Sequence, residues 1–537
     1  MKTTKIFLMA ALALMTAACS NSDNDILTPA EQSANNMVTI TAKLAPKSGS
    51  AQTRVLSDQT TYIKAEWAAN ETMKIISANG KEATATVKSV DGSGTATIEF
   101  SIDAAAVGQN CTIIYPASAA VAESAGVYTA QPMTAQTGTL SNDLDVRIGK
   151  GTISDATTLD VTTQPAAQFA IMKLTLTNDA KNLCIMADNI TIAGATLASE
   201  GKEFTVAVPA VSSKTVTIVA NDASNNCYYF SKAGVSLAAG TYYQSSPSMT
   251  ALGTESSADV YKITGTSGVT IPDGKTVVLS GVTISDGSII CSGNANIILM
   301  GDNTVTGANL KAAIQIGEDN STTLTITGSG SLTVNGGSQA AAIGTGRAYN
   351  ANVAGGNIEI NGGTIIATGS SGSAAIGTGY ANGSSNKCGA ITINGGSVTA
   401  TAIGNAAGIG TGQANGGSNK CGAITINGGT VTATGAGNGA GIGTGFANNS
   451  GSNECGAIII STGVTSVTAT KANSIPNIIG KGKADGGTQT CGTITFGAAQ
   501  VFNGSNWSTD PMAAGTYGGL NLAITNSNKT WTLTPAP

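Results

Sequence analysis

The sequence predicts an all-β protein in which two β-sandwich domains are followed by a parallel β-helix. In the C-terminal half one phrase occurs three times, as NIEINGGTIIATG, AITINGGSVTATA and AITINGGTVTATG, each followed by I-G-T-G. Apolar residues alternate with Thr and Ser through each copy, which is the period-two pattern of strands. Only 11% of the 537 residues are charged and 69 are Gly. This composition does not favour long, evenly charged helices.

The repeat has a period of 33 residues. The columns that share it are Ile360, Ile393 and Ile426 in the first strand, and Ile343, Ile376, Ile409 and Ile442 in I-G-T-G. Looser copies extend the second column to Ile316 and Ile479. The sequence pattern of each unit predicts a coil of three short strands, two tight corners and one longer loop. One such coil cannot bury its inner face, so we expect about eight coils to stack about 4.8 Å apart into a rod of roughly 40 Å.

Two polar columns share the period of the Ile columns. Asn361, Asn394 and Asn427 are predicted to stack at one corner, where each amide bonds the Asn above and below. Four cysteines form the second column: Cys388, Cys421, Cys455 and Cys491. They are either small thiols that fill a narrow corner or a metal or disulfide staple. The absence of C-x-x-C pairing and the linear arrangement favour packing over a tetrahedral metal site.

The N-terminus predicts a secretory signal. Lys2 and Lys5 precede an apolar run that is too short to span a bilayer permanently. Residues 1–18 resemble a bacterial lipoprotein signal with Cys19 as the lipidated residue. The polar, acidic tract after Cys19 is similar to tracts that send lipoproteins to the outer face of the outer membrane. The alternative is an ordinary secreted protein with an unmodified Cys19.

Changes in pattern divide the chain into six parts. They are a signal peptide at 1–18, a flexible stem at 19–36, a first β-sandwich at 37–165, a second at 166–252, the β-helix at 253–500, and a C-terminal segment at 501–537. Short alternating runs separated by Gly, Asn and Asp support the sandwiches. The last segment either caps the open end of the solenoid or donates a strand to another subunit.

The two N-terminal domains resemble fimbrillins. Gln52-Thr53-Arg54 followed by Glu66-Trp67-Ala68-Ala69-Asn70-Glu71 is similar to the first fimbrillin domain, in which a Thr-Arg step precedes a W-x-x-G-D-x-I-like strand. Asn70-Glu71 here replaces Gly-Asp. Ala170 to Leu176, Val206 to Pro209 and Leu237 to Tyr243 are similar to the K-L-x-L strand, the v-a-l-P turn and the closing A-G-x-Y-Y strand of the second domain. The resemblance covers residues 37 to 250.

The resemblance implies a lipidated, pilin-like surface protein that serves in fimbriae or adhesion. In that family, cleavage after an Arg near the first strand frees a groove for a strand of the next subunit, a form of β-augmentation. Arg54 is at the matching position and is therefore a candidate processing site. The alternative is a solvated charge in a loop.

Composition restricts the chemistry that is available. The chain has no histidine, which removes the usual general base, the usual zinc ligand and every Ser-His or Cys-His nucleophile. The net charge of −5 argues against a nucleic-acid partner. Acids between 259 and 500 do not recur on the repeat; only Asp302, Glu318 and Asp319 could converge, as a calcium site or as two solvated turns.

A varied column follows I-G-T-G and leads into the long loop. Its members are Arg347, Tyr380, Gln413 and Phe446, with Lys483 in the last copy. Stacked loops would place aromatic, amide and basic groups on one ridge, and such groups stack on sugars and bond their hydroxyls. The alternative is that an exposed loop tolerates any residue there.

These observations predict a non-catalytic cell-surface lipoprotein of the outer membrane, a fimbrial or adhesive component with the β-helix as display surface. A carbohydrate-binding surface protein is the alternative, and a polysaccharide lyase or hydrolase is the least supported class. No cofactor is predicted. The expected partners are the outer membrane through the lipid anchor, other fimbrial subunits, and host or dietary glycans.

Overall fold

The computed structural model describes residues 37–47, 66–119, 121–124, 127–130, 133, 136–139, 144–317, 321–350, 352–472, 477–505 and 512–536. These residues form strands and one 3₁₀ turn at Ala104–Ala106, which confirms the all-β prediction. The predicted signal, Cys19, the stem, Arg54, Glu318 and Asp319 lie outside the described residues. Within those residues we find no helix that is long and apolar enough to cross a membrane.

The first domain is one antiparallel sheet rolled around its core. Its strands are β1 Met37–Leu44, β2 Thr72–Ser77, β3 Glu82–Val90, β4 Ala96–Asp103, β5 Asn110–Tyr115, β8 Arg147–Ile153 and β9 Leu159–Ala167, with a separate hairpin of β6 Val121–Ser124 and β7 Val127–Ala130. The sheet order is β1-β4-β3-β2-β5-β8-β9. Its two edges meet where the Thr41 N–H donates to the Thr157 carbonyl at 3.1 Å. The predicted sandwich is thus a single closed sheet whose halves face each other.

The second domain is built on two long, bent strands. Its strands are β10 Phe169–Ala187, β11 Ile190–Pro209, β12 Val211–Asn221, β13 Cys227–Leu237, β14 Tyr242–Ser245 and β15 Thr250–Ala251. The first part of β10 pairs with β14 and the last part with β12. The pairing with β11 shifts register between Thr175 and Ala180. Because β10 changes neighbours along its length, two layers enclose a core whose members lie between Ala170 and Met249.

The boundary between the first two domains is not a simple linker. Gln136, within the predicted first domain, donates from its amide to the Ala207 carbonyl at 2.9 Å and accepts from the Ala207 N–H at 2.8 Å. Leu144, Val146 and Phe169 share an apolar cluster with Ala207. The two domains therefore pack together across this segment.

The C-terminal half is a parallel β-solenoid, as predicted. The first row of strands is Val260–Ile263, Lys275–Ser280, Ala295–Met300, Thr323–Gly328, Asn357–Ser371, Ile391–Ile403, Ile424–Ile426, Ile458–Ile460 and Thr493–Phe496. The second row is Thr283–Ile284, Asp302–Thr306, Ser331–Asn335, the later parts of Asn357–Ser371 and Ile391–Ile403, then Gly429–Thr434 and Val464–Thr470. Ile360 pairs in register with Ile393, which pairs with Ile426, and all three are buried.

The I-G-T-G segments form a separate parallel sheet of eight strands. They are Val269–Ile271, Ile289–Cys291, Ile314–Gln315, Ile343–Gly344, Ile376–Gly377, Ile409–Gly410, Ile442–Gly443 and Ile479–Gly480. Ile314, not Ile316 as predicted, pairs with Ile343. The coil before Ile343 is shorter than the 33-residue repeat, so counting back by one period reaches Leu310 and does not identify the paired isoleucine.

The prediction of a long loop in each coil is wrong. The segment forms short strands that pair from coil to coil in two further parallel sheets. One contains Ala348–Tyr349, Ala381–Asn382, Ala414–Asn415 and Ala447–Asn448. The other contains Val353–Ala354, Asn386–Cys388, Asn419–Cys421, Asn453–Cys455 and Gln489–Cys491. Stacked polar side chains stabilise these short strands, as described below.

The second domain lies against the outer face of the first coils. Cys184, Met186 and Val219 pack against Val278 and Ile298. Polar contacts border this patch: the Thr191 and Thr327 hydroxyls are 2.8 Å apart, and the Asn221 amide donates to the Ser280 hydroxyl at 2.8 Å. Part of the solenoid is therefore beside the second domain rather than beyond it.

Residues after the last parallel strand cover the far end of the core. The strands here are Ala499–Asn503, Gly515–Tyr517, Leu520–Thr525 and Thr530–Pro535. Thr530–Pro535 pairs antiparallel with Val464–Thr470. The Trp531 ring meets Phe496 edge to face at 6.4 Å between centroids. Leu520 and Leu533 join the solenoid core.

Candidate functional site in the repeat columns

Each residue of the I-G-T-G motif has a defined role in stacking. Ile409 is buried in the core. Gly410 has φ +132, and a Cβ added there would lie 1.7 Å from the Gly443 carbonyl oxygen. The Thr378 hydroxyl accepts from the Gly412 N–H of the next coil at 2.9 Å. The motif therefore joins coils through apolar contact, close backbone approach and a buried hydrogen bond.

The predicted asparagine stack at the Gly-Gly corner is confirmed. The Asn394 amide donates to Asn361 Oδ1 at 2.7 Å, and the Asn427 amide donates to Asn394 Oδ1 at 2.8 Å. The Ser461 hydroxyl continues the series to Asn427 Oδ1 at 2.9 Å. Asn361 is buried, Asn394 is half-buried and Asn427 is exposed, so the stack reaches the protein surface at its Asn427 end.

A second asparagine stack is buried, and sequence reasoning missed it. The Asn386 amide donates to Asn419 Oδ1 at 3.2 Å, and the Asn419 amide donates to Asn453 Oδ1 at 3.1 Å. All three are buried, with Asn419 at 0% exposure. Each is two residues before a cysteine of the predicted thiol column, and this fixed offset is the signal that could have revealed them. Buried amides need such partners, so the stack explains why the predicted loop is ordered.

The four cysteines of the repeat stack in register. Cys388 pairs with Cys421, which pairs with Cys455, and Cys455 pairs with Cys491. All are buried and free of disulfides. Hydrogen bonds with Cys388 and Cys455, together with burial, raise the pKa of the Cys421 thiol well above its ordinary value. The thiols belong to the solenoid core, which agrees with the packing interpretation.

Alkaline pH is expected to destabilise the protein through its buried thiols. Burial raises the pKa of Cys111 to about 11 and that of Cys291 to about 12. The pKa values of these thiols are higher in the folded than in the unfolded chain. The free energy of unfolding is therefore at its full value below pH 9 and decreases as the pH rises from 9 to 12. At pH 10.5 each thiol should lower the free energy of unfolding by about 2 kcal/mol relative to neutral pH. Melting temperatures from pH 7 to 11 test this, and Cys291→Ala should flatten the decline; an unchanged decline would contradict it.

The residues of the predicted ligand column are stacked, but they are half-buried or buried rather than exposed. The N–H groups of Ala348, Ala381 and Ala414 donate to the carbonyls of the next column members, each at 2.9 Å. Those members are Tyr380, Gln413 and Phe446, with Arg347 and Lys483 at the two ends.

The side chains of this column pack on the protein. Phe446 is 8% exposed, and Lys483 Nζ is 5.3 Å from its ring centroid. The Gln413 side chain accepts from the Asn405 amide at 3.3 Å. The Arg347 guanidinium is over the Tyr349 ring at 5.3 Å. The role of the column in ligand binding stays a prediction.

The predicted calcium ligands are only partly described. Asp302 Oδ1 accepts from the Ser331 hydroxyl at 2.7 Å, while Glu318 and Asp319 lie outside the described residues. Among the residues that the structure describes, no three His, Cys, Asp or Glu side chains form a group that could hold a metal ion.

A buried ionic cluster in the first domain was not predicted. Lys47 Nζ is 3.3 Å from Glu71 Oε1 and 3.5 Å from Asp145 Oδ2. It is also 4.5 Å from the Trp67 ring centroid and 4.0 Å from that of Tyr115. Burial lowers the pKa of Lys47, and burial with the hydrogen bond to Glu71 raises that of Tyr115. Its members come from distant parts of the chain, so no local pattern signals the cluster.

The segment Trp67 to Glu71 forms a turn that brings Glu71 into this cluster. Glu71 accepts from the Ala68 N–H at 3.0 Å and from the Tyr115 hydroxyl at 2.6 Å. Asn70 has φ +68, a left-handed conformation that Asn adopts more readily than most residues. Asn70 therefore adopts a backbone conformation that Gly also adopts readily.

The fold and its columns define an all-β protein with a C-terminal β-solenoid. Residues 358–380, 391–413 and 424–446 match the family model named Beta helix repeat. A comparison with curated proteins gives no match. The chain is also similar to a solved structure of a candidate cell adhesion protein from Bacteroides ovatus ATCC 8483, at 12% identity over 37% of this chain and 92% of that chain, with a TM-score of 0.22. So remote a likeness assigns neither fold nor function.

Proposed function

We propose that this chain is a non-catalytic adhesive protein of the cell surface, lipidated at Cys19, with the solenoid as its display surface. The observation that carries the proposal is the repeated surface itself. Coil after coil presents Asn, Ser and Thr groups in register, for example Thr399 paired with Thr432 and Thr432 with Thr468. Such a surface offers many identical weak contacts to a ligand. Once one contact has formed, the others form at a high effective concentration, so the overall affinity exceeds that of a single contact.

The absence of histidine from the sequence supports a non-catalytic role. In the solenoid, Glu454 pairs with Lys420 at 2.6 Å and Asp485 with Lys483 at 2.8 Å. A glycosidase requires two carboxylates that face one bond, and these acids are instead paired with lysines at separate positions. A surface that binds without reacting needs none of this chemistry.

The fimbrillin resemblance supports a place in or beside fimbriae. Trp67, Asn70 and Glu71 of the resembling segment build the turn and ionic cluster described above. In this proposal Arg54 is the processing site, and other fimbrial subunits are the partners. Arg54→Ala should then preserve the full-length mature chain on a denaturing gel. Appearance of the shortened chain in that variant would refute processing at this residue.

Removal of the lipidated cysteine tests the surface location. Cys19→Ala is expected to move the protein from the outer-membrane fraction to the soluble fraction, because a lipid chain supplies the membrane affinity. Protease added to intact cells should digest the wild-type protein, and cells with Cys19→Ala should lose adhesion. A wild-type protein that resists protease on intact cells, or a variant that stays in the membrane, would contradict the proposal.

Glycan binding by the ligand column is the second candidate function. The in-register arrangement of Tyr380, Gln413 and Phe446 favours it, because aromatic and amide groups bind sugars together. If the column is the site, Tyr380→Ala combined with Phe446→Ala should abolish binding on a glycan array. Unchanged binding by the double variant would show that the column is not the site.

A further inference from the structure

A polar groove of about 520 Å³ follows the Gly-Gly corner of the solenoid. The turn between β10 and β11 of the second domain, with Ile190 and Thr191, borders one end. Hydrogen bonds fix this border: the Gly328 N–H donates to the Thr191 hydroxyl at 2.9 Å, and the Asn361 amide donates to the Asn189 carbonyl at 3.4 Å. The second domain therefore bounds this end of the groove.

Four parallel rows build the groove: two rows of glycine, one of asparagine, and one of Ser and Thr. Glycine pairs such as Gly395-Gly396 form a floor without side chains. The asparagine stack runs along one side of the floor. A hydroxyl row of Thr364, Ser397 and Thr430 runs along the other side, and these residues pair in register from coil to coil. Every row repeats with the coil spacing of about 4.8 Å.

The groove is lined by hydrogen-bonding groups, and the amide of Asn394 in this lining also donates to the Glu359 carboxylate at 3.1 Å. None of its lining residues has an ionisable side chain. Asn427 uses one amide hydrogen toward Asn394 and its oxygen toward Ser461, and its second amide hydrogen has no partner among the described residues. Thr364 and Ser397 are exposed. Amides and hydroxyls donate and accept, so they suit a ligand whose groups also do both.

We propose that this groove binds one extended chain of a neutral polysaccharide, which lies along the solenoid axis. The proposal rests on the proposed adhesive function and names the ligand class of its display surface. A sugar ring in an extended chain advances by nearly one coil spacing, so successive rings meet successive Asn and Ser or Thr residues. The glycine floor leaves room for the flat face of each ring.

Two other polymers fit the groove less well. An acidic polymer would need cations, and the groove supplies none. A peptide that adds as a strand needs free backbone groups, but the corner N–H groups bond the neighbouring coil. The Asn427 N–H donates to the Ile393 carbonyl at 2.7 Å, and the Thr364 N–H donates to the Gly330 carbonyl at 3.0 Å. Side-chain amides and hydroxyls are the groups that remain for a ligand.

Gly395 is the position at which the groove can be filled without disturbing the coils. A Cβ there would have the Asn361 carbonyl oxygen at 3.7 Å as its nearest neighbour, whereas at Gly396 and Gly428 the nearest backbone oxygen would be at 2.5 Å. Gly395→Leu therefore places a side chain on the floor. Gly253→Leu is the matched control, because Gly253 is outside the groove and a Cβ there meets nothing within 4 Å. Ser397→Ala removes a hydroxyl without adding bulk and serves as the second variant.

The test measures binding of the full chain to soluble β-glucan, xylan and mannan, with polygalacturonate as the charged comparator. We expect the wild-type protein and Gly253→Leu to bind at least one neutral polysaccharide equally. Gly395→Leu should weaken that binding about tenfold or more, and Ser397→Ala several-fold.

Three results would overturn the groove assignment. They are equal binding by Gly395→Leu and the wild type, failure of the wild type to bind any of the neutral polysaccharides, and displacement of the bound polysaccharide by polygalacturonate or by an extended peptide. Cell adhesion measured with the same variants separates this failure from failure of the proposed function. Equal polysaccharide binding by Gly395→Leu and the wild type would refute the groove and leave the adhesive role intact. Wild-type cells that adhere no better than cells with Cys19→Ala would instead refute the proposed function.

Discussion

Gly410→Ala is expected to lower the free energy of unfolding of the solenoid by about 4 kcal/mol or more. Two costs combine. Gly410 has φ +132, which strains any residue with a Cβ, and that Cβ would lie 1.7 Å from the Gly443 carbonyl oxygen. Relief of the clash requires two coils to separate, which would break their backbone hydrogen bonds. Thermal unfolding and limited proteolysis of the C-terminal half measure the effect.

Gly395→Ala is the matched control for this prediction. Both residues are glycines of the 33-residue repeat, but Gly395 has no close neighbour for a Cβ. We expect its melting temperature to stay near that of the wild type, since surface substitutions without a clash change little. If Gly410→Ala melted together with the wild type and Gly395→Ala, the close stacking of the I-G-T-G sheet would be refuted.

Glu71→Ala is expected to destabilise the first domain by about 3–5 kcal/mol, because it leaves the buried Lys47 ammonium without its nearest carboxylate. The Lys47 side chain is 3% exposed and the Glu71 side chain 10%. The substitution also removes the acceptor of the Tyr115 hydroxyl and of the Ala68 N–H. Chemical denaturation followed by tryptophan fluorescence reports on the site directly, since Trp67 packs on Lys47.

The exposed pair Lys88–Glu99 provides the comparison. Its atoms are 3.1 Å apart, but the side chains are 53% and 44% exposed. Water screens such a pair, so Glu99→Ala should leave the denaturation curve almost unchanged. Equal effects of Glu71→Ala and Glu99→Ala would mean that Lys47 is not buried among these groups.

Periodicity made the solenoid predictable. Residues that recur at a constant interval must occupy equivalent places in successive coils, so Ile360, Ile393 and the Asn361 stack could be aligned without knowledge of any distance. The same counting fails where the interval changes. The early coils are shorter than the later ones, so a constant interval cannot tell Ile314, which pairs with Ile343, from the nearby Ile316.

Other features could be recognised only in the structure. The buried Asn419 stack has the right period, but its sequence context of Gly, Ser, Asn and Lys is also typical of a solvated loop. Lys47, Glu71 and Asp145 are far apart in sequence and share no period. Gly395 and Gly410 are the same residue type in the same repeat, yet one borders a groove and the other a carbonyl of the next coil.

The sequence by itself determined that the chain is all-β, that its C-terminal half stacks in coils, and which residues share a column, because these follow from local alternation and from identity at a fixed interval. The tertiary structure decided that the first domain closes on itself, that the second domain lies against the first coils, and that a groove opens beside the Asn361 stack. Those features depend on contacts between segments that share no repeat, and such contacts are set by the three-dimensional packing of whole domains.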